Sequence, residues 1–271
     1  MAPSREENRD WALRLFRRSV LKQNKLAGIL RELGEFRGLR CLDLGADNGV
    51  ISLLLRRRGG DWASGDLSPM AVESIRSLVE SDVHLLDGGR TPFGDGEFDR
   101  VVIVDFLEHI ADDAGFVREL RRILKDDGQL VINCPHEKRS LLRRLRLALG
   151  QSDEKHGHLR PGYTVESLTR LCEGSFEPVA AHTYSRFFTE ALDTLITAVM
   201  GMLRRGDPIE TGPSKGVLLT GSDLARFHRA FRLYSIVYPL FWLMTRLDAL
   251  LFFRSGYCLV SRWKPVPRNG R

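Results

Sequence analysis

The sequence predicts an α/β fold, a parallel sheet covered by helices on both faces, from three observations. From residue 40 to about residue 180, short apolar runs alternate with stretches of helical periodicity. Parallel strands joined by crossover helices produce that alternation. Residues 41–49 read CLDLGADNG: an apolar run ending near Asp43, a glycine turn from Gly45 to Gly49, then a helical pattern over 50–57. A strand, tight turn and helix in this order present backbone N–H groups and a positive helix start to a bound cofactor. Four acids, Asp43, Asp66, Asp87 and Asp105, stand at or near expected strand ends, where an open α/β sheet keeps its ligand site.

The elements follow in chain order. Residues 11–33 place Leu13, Phe16, Val20, Leu26, Ile29, Leu30 and Leu33 at roughly helical spacing. This predicts an amphipathic helix, broken near Gln23 and Asn24, inside a helical cap over 1–37. Its basic residues, among them Lys22 and Lys25, read as a solvated face. Strands are predicted near 40–44, 61–65, 83–86, 98–104 and 129–134, with a sixth over 176–184 and a seventh over 257–263. Helices are predicted near 49–57, 69–79, 112–124 and 165–173, and a turn over 125–128. Residues 138–149 (KRSLLRRLRLAL) carry five bases and no acid. That basic amphipathic pattern suits a membrane surface, a partner or a plain surface helix. The main unit is assigned to 38–184 and 256–264, and 185–255 to a helical insertion between the sixth and seventh strands. Within the insertion, 190–204 reads as an apolar helix, 206–215 as a Gly/Pro loop, and 222–253 as one or two helices broken at Pro239.

Residues 233–245 (LYSIVYPLFWLMT) hold no charge, yet fall short of the roughly 20 residues a spanning helix needs. A buried lid, a membrane-surface helix and a homodimer contact are the alternatives, in that order. Composition is that of a globular chain, 43% hydrophobic and 28% charged. With 41 basic and 35 acidic residues the net charge is +6, which allows anionic partners without demanding them. Cys41, Cys134, Cys172 and Cys258 are scattered, without the paired spacing of a metal cluster, as in a reduced cytoplasmic protein. The first residues lack the apolar core of a secretion signal.

The glycine turn also narrows the cofactor. A dinucleotide fingerprint reads G-x-G-x-x-G, with a glycine at the third place where the backbone approaches the pyrophosphate. Here the run is Gly45, Ala46, Asp47, Asn48, Gly49, and Asp47 sets a carboxylate where the pyrophosphate would lie. S-adenosylmethionine (SAM), cationic at sulfur and free of phosphate, avoids the conflict. Asp66, at the end of the second strand, is placed for the ribose hydroxyls.

Five segments resemble the class I SAM-dependent methyltransferases, of the small-molecule type that includes the ubiquinone-biosynthesis enzymes. They are LDLGADNG at 42–49, GDLSP at 65–69, LLDGGRTPF at 85–93, FDRVVIVDFLEHI at 98–110 and LRRILKDDGQLVINCPH at 120–136. The resemblance implies a Rossmann-like fold with a seven-stranded, mostly parallel sheet whose last strand is antiparallel. It implies SAM as cofactor, held by Asp43, Gly45, Ala46, Asp47, Asn48, Gly49, Asp66, Leu67, Asp87, Gly88, Asp105 and Phe106, with Asp87 at the adenine. Asp47 departs from the family's middle glycine. It is read as a partner for the methionine ammonium, and its alternative is a non-catalytic relative that works as a partner protein.

Methyl transfer to oxygen needs an aligned nucleophile, excluded water and a base. His158 and His109 are the candidate bases, because histidine titrates near neutral pH. His156 and His158 form an H-x-H pair with no evident third ligand, so no metal is assigned. The segment HLRPGY resembles one that shapes the acceptor pocket in related enzymes, which makes Arg160 and Tyr163 acceptor-site candidates, and His136 joins them from the end of the fifth strand, at the open end of the sheet. The expected reaction is O-methylation of a small or lipid-linked acceptor, with a membrane surface as a further partner. The segment DFLEH stands where a base-methylating enzyme would carry an N-P-P-Y-like motif, which argues against nucleic acid as the substrate.

Overall fold

The computed structural model describes residues 4–46, 48–80, 82–138, 140–148, 158–203 and 235–268. Two helices, α1 (Arg5–Arg17) and α2 (Val20–Leu33), precede the sheet. The strands are β1 (Arg40–Leu44), β2 (Asp61–Asp66), β3 (Val83–Leu85), β4 (Phe98–Val104), β5 (Leu124–Pro135), β6 (Phe176–Tyr184) and β7 (Cys258–Pro265). Between them run α3 (Val50–Arg56), α4 (Pro69–Leu78), α5 (Asp113–Ile123), α6 (Leu141–Ala148), α7 (Val165–Cys172), α8 (Phe187–Leu203) and α9 (235–246).

The sheet order is β3-β2-β1-β4-β5-β7-β6, with β7 antiparallel to both neighbours and the other strands parallel to one another. The order reverses at β1 and β4, so the crevice beyond their carboxyl ends is the switch point where ligands of open sheets bind. Strand periodicity divides the core in two. Leu42, Leu44, Val101 and Ile103 meet Phe116, Val117 and Leu120 of α5 and Leu168 of α7. Cys41, Val102 and Val104 meet Leu26 and Ile29 of α2, Leu53 of α3 and Ile75 of α4. Each such side chain, fully buried, contributes about 1.5–3 kcal/mol relative to exposure.

Local sequence sets the helix starts. Ser4 and Glu7 form a reciprocal capping box on α1, and Thr164 with Ser167 does the same on α7. Ser68 caps α4 with Pro69 in its first turn, so the GDLSP segment ends a strand and starts a helix within five residues.

Three sequence expectations are corrected. The N-terminal helix breaks at Arg18 and Ser19 rather than at Gln23 and Asn24, because the Ser19 hydroxyl accepts from Lys22 N (3.3 Å) and caps a second helix. The turn over 125–128 lies inside β5, opposite a register shift between Phe98 and Arg100. α9 runs through Pro239, which sits near the described start of the helix and removes only one backbone donor. The loop predicted over 206–215 and most of the helix predicted from residue 222 lie outside the described residues.

Candidate functional site

Two cavities open at the carboxyl ends of β1, β4 and β5, and they share a wall. The first, about 550 Å³, is lined by Gly45, Ala46 and Asn48 of the glycine turn, by Asp66, Leu67 and Ser68 after β2, and by Val104, Asp105, Phe106 and His109 after β4. That volume is ordinary for a small-molecule site. The second, about 380 Å³, is lined by His136, Lys138, Arg143, Arg146, His158, Glu190 and Tyr257 among others. Lys22, Lys25 and Asp105 line both.

The first cavity depends on a close backbone approach. Gly45 has φ +77°, and a Cβ there would stand 2.3 Å from the Val104 carbonyl oxygen. Gly49, also at φ +77°, would press a Cβ to 2.8 Å from Ile75 Cα. Only glycine lets the loop lie against β4 and α4 at these two points. Asp66 is buried at the end of β2 and accepts from Ser68 N (3.0 Å), which aims its carboxylate along the cavity wall. Phe106 is buried and packs on Phe116, with ring centroids 5.4 Å apart. A carboxylate for a diol, a small-residue turn and apolar walls from Ile51, Val104 and Phe106 fit an adenosyl cofactor.

The shared wall is a relay of polar side chains. Asp105 holds φ +45°, a left-handed conformation that non-glycine residues rarely adopt. Its carboxylate pairs with the Lys25 ammonium and accepts from Asn133 Nδ2 (3.2 Å). Asn133 Oδ1 in turn accepts from the Tyr184 hydroxyl. Burial pushes the Tyr184 phenol well above its ordinary value, so it stays a donor. Sequence reading left Lys22 and Lys25 on a solvated face. The structure brings both to the cavities, because α2 packs along a face of the sheet with its first turns at the carboxyl ends of the strands.

Around the second cavity, acids hold the bases in place. Lys138 Nζ reaches Glu190 Oε2 (2.7 Å), and Arg146 reaches Asp193 (3.2 Å) with its guanidinium 6.0 Å from the Tyr257 ring centroid. His136 Nδ1 is 2.8 Å from the Gly256 carbonyl oxygen. Cys258 also lines this cavity, and burial pushes its thiol up to about 12, so it is no thiolate nucleophile at neutral pH. His158 and His109 stand ring to ring, centroids 4.8 Å apart, one on each cavity. His158 Nε2 lies 4.0 Å from the fully buried Glu108 carboxylate. Donor atoms of Glu108, His109 and His158 all fall within 4.8 Å of one another. Glu108 thus joins His158 and His109 in a cluster that sequence reading missed.

Several site candidates stand elsewhere. Asp43 is fully buried, accepts from Ser52 (3.0 Å) and Ser64 (3.1 Å), lies 3.7 Å from Arg56, and lines neither cavity. Burial raises its carboxyl against the opposing pull of Arg56. Its part is to tie β1 to α3 and β2. Gly49 caps α3, and Asp87 and Gly88 turn the chain after β3 with Asp87 accepting from Gly89 N (2.8 Å). None of these three lines either of the two cavities. Arg160 donates to Asp113 (2.6 Å), the Tyr163 hydroxyl (2.8 Å) and Leu107 O (3.2 Å), and Tyr163 donates to Asp113 (2.9 Å). These two pin the 158–163 loop to the chain after β4 and do not line the second cavity, where the resemblance had set them. Asp47 and His156 lie outside the described residues.

Comparison with known proteins converges on the same class. Residues 42–132 match the family described as methyltransferase domain. The chain is 31% identical over 168 residues to the mitochondrial ubiquinone biosynthesis O-methyltransferase of Schizosaccharomyces pombe, covering 59% of this chain and 53% of that one. It spans about half the length of the curated relatives it matches. A SAM-dependent methyltransferase from Thermotoga maritima superposes with TM-score 0.56 at 17% identity, over 95% of this chain and 96% of that one. The [4+2]-cyclase SpnF superposes with TM-score 0.58 at 16% identity, over 91% and 82%. Residues 42–132 thus match a methyltransferase domain, on a sheet that superposes on Rossmann-like solved structures.

Proposed function

We infer that this chain transfers a methyl group from SAM to an oxygen of a small or lipid-linked acceptor. The observation that carries the reading is the pair of cavities meeting at Lys25 and Asp105. One has the walls an adenosyl cofactor needs, and the other is amphiphilic and opens beside it. When bound, SAM supplies a methyl group made electrophilic by its sulfonium. The chain's own residues supply the rest. Asp66 holds the ribose hydroxyls, and Phe106 with Val104 excludes water from the transfer line. His158 takes the acceptor's proton on its imidazole, and the Glu108 carboxylate 4.0 Å away favours the cation that forms. Lys25 keeps Asp105 fixed where the two cavities join. Relatives named for ubiquinone biosynthesis O-methylation support oxygen as the acceptor atom and a quinone-like ring as the acceptor class.

The test has two stages. Calorimetric titration with SAM should show binding to the wild type that Asp66→Ala weakens at least about tenfold, the worth of a charge-assisted hydrogen bond. Methyl-labelled SAM with a lipid extract should then yield a labelled, base-stable product. A chain that binds SAM but labels nothing would refute methyl transfer, since one fold hosts different chemistries.

A further inference from the structure

The segment from 235 to 255 is folded inside out. Its buried side chains are polar at the tip: Tyr238, Thr245 and Asp248. The Tyr238 hydroxyl accepts from Gln23 Nε2 (3.0 Å), and the Arg18 guanidinium lies 5.4 Å from its ring centroid. Asp248 accepts from the backbone N–H groups of Arg186 (2.7 Å), Phe188 (2.8 Å) and Thr189 (3.3 Å), which fastens the segment to the start of α8. The outward side chains are apolar. Ile236, Leu240 and Leu243 recur at helical spacing on one stripe of α9, Leu250 follows in the 3-10 turn after it, and all are exposed, Ile236 by 75%. Phe252 and Phe253 continue the surface beyond it, Phe252 exposed by 79%. A helix that docks on its own protein turns such a stripe inward. Here the ties that orient the segment are the polar ones.

We propose that this outward stripe docks the protein on the surface of a bilayer containing anionic lipids. Charge selects the occupant. Among residues 235–255, Arg246 and Arg254 are the exposed charges, and the one acid, Asp248, is turned inward. Trp242 lies under Arg246, 4.5 Å from ring centroid to guanidinium, an aromatic and cation pair suited to the headgroup level. A second copy docked about a two-fold axis would bring Arg246 and Arg254 into an apolar contact with no carboxylate of the patch to meet them. Anionic headgroups supply that counter-charge. The docking is peripheral. Among the described residues no helix is long and apolar enough to cross a membrane, and 235–246 rises only about 18 Å against a hydrocarbon core of about 30 Å. The surface also adjoins the second cavity: Lys138, which lines that cavity, donates to Ser255 O (3.2 Å) at the end of the aromatic turn.

The docking does not depend on methyl transfer, and its test needs none. Vesicle flotation of the whole chain should show binding to phosphatidylcholine vesicles containing phosphatidylglycerol, and little to phosphatidylcholine alone. The paired variants Leu240→Glu/Leu243→Glu and Phe252→Ser/Phe253→Ser should each weaken binding at least about tenfold, and Arg246→Glu should do so most at low salt. Unchanged SAM affinity and thermal melting would show that the variants remain folded. Wild type that stays with the unbound fraction at both compositions overturns the proposal, as do folded variants that still float. A concentration-dependent dimer in light scattering, dissolved by the same substitutions, would assign the stripe to a second copy and overturn it too.

Discussion

The two cavities are neighbours of similar size, yet they are built in opposite ways. Apart from Lys22, Lys25 and Ile51, the first is made of short stretches: Gly45, Ala46 and Asn48 of the turn, the residues from Asp66, and the residues from Val104. Each stretch follows a strand end, so strand order alone brings them together. The second draws on α2, the end of β5, α6, the 158–161 loop, α8 and the start of β7, spread over some 240 residues of chain. Backbone geometry makes the first, and paired side chains make the second. The first therefore tolerates little change in shape, whereas the second can change its lining while the fold stays the same.

Substitutions should expose that difference. The largest effect falls on the glycine turn. Gly45→Val places a Cβ 2.3 Å from Val104 O, and SAM affinity should fall about 100-fold or more, in line with the strain of a forbidden backbone. Retained affinity in calorimetry would show that the turn does not form the cradle. His158→Gln should lower kcat about 100-fold while leaving SAM affinity unchanged. A matching loss of SAM binding would move His158 from the second cavity's chemistry to the first's. Arg146→Gln, which removes the ion pair to Asp193 and the cation beside the Tyr257 ring, should raise the acceptor KM roughly tenfold with kcat held.

The smallest effect belongs to neither cavity. Burial alone would raise the Glu119 carboxyl, but hydrogen bonds from Arg122 and from Thr91 outweigh it and hold it below its ordinary 4.5. A carboxyl lowered by folding stabilises the native state above pH 4.5, and that contribution is lost as pH falls through the folded value. Glu119→Gln should therefore cost about 1 kcal/mol at neutral pH and flatten the acid limb of a denaturation curve, with both cavities unaffected. A variant as acid-sensitive as the wild type would deny the carboxylate that part.

The first cavity was legible for the reason it is rigid. Gly45, Asp66 and Phe106 stand at fixed places relative to apolar strand runs, and strand ends are visible as periodicity. Asp43 misled because a strand-end acid reads the same whether it faces a ligand or, as here, Ser52, Ser64 and Arg56. The second cavity was half legible. His158 and His136 carry chemistry that draws the eye, but Arg160 was claimed by Asp113, a partner 47 residues away that no local pattern reveals. Lys22 and Lys25 were missed because their helix looks like any basic surface helix until it is known that its first turns meet the carboxyl ends of the strands. Glu108 was hidden within a motif, next to a histidine that seemed the more reactive group.

The placement of β7 has a consequence for how the chain is made. β6 hydrogen-bonds to β7 alone, and β7 enters between β5 and β6 only after the whole 185–255 insertion. On the ribosome, β6 must wait as an unpaired strand until residues near 265 emerge, and meanwhile the outer edge of β5 is open as well. Two unpaired edges held apart during synthesis are templates for strand addition between chains. The nascent protein is thus most vulnerable to self-association while the insertion is being translated, and slowing that stretch lengthens the exposure.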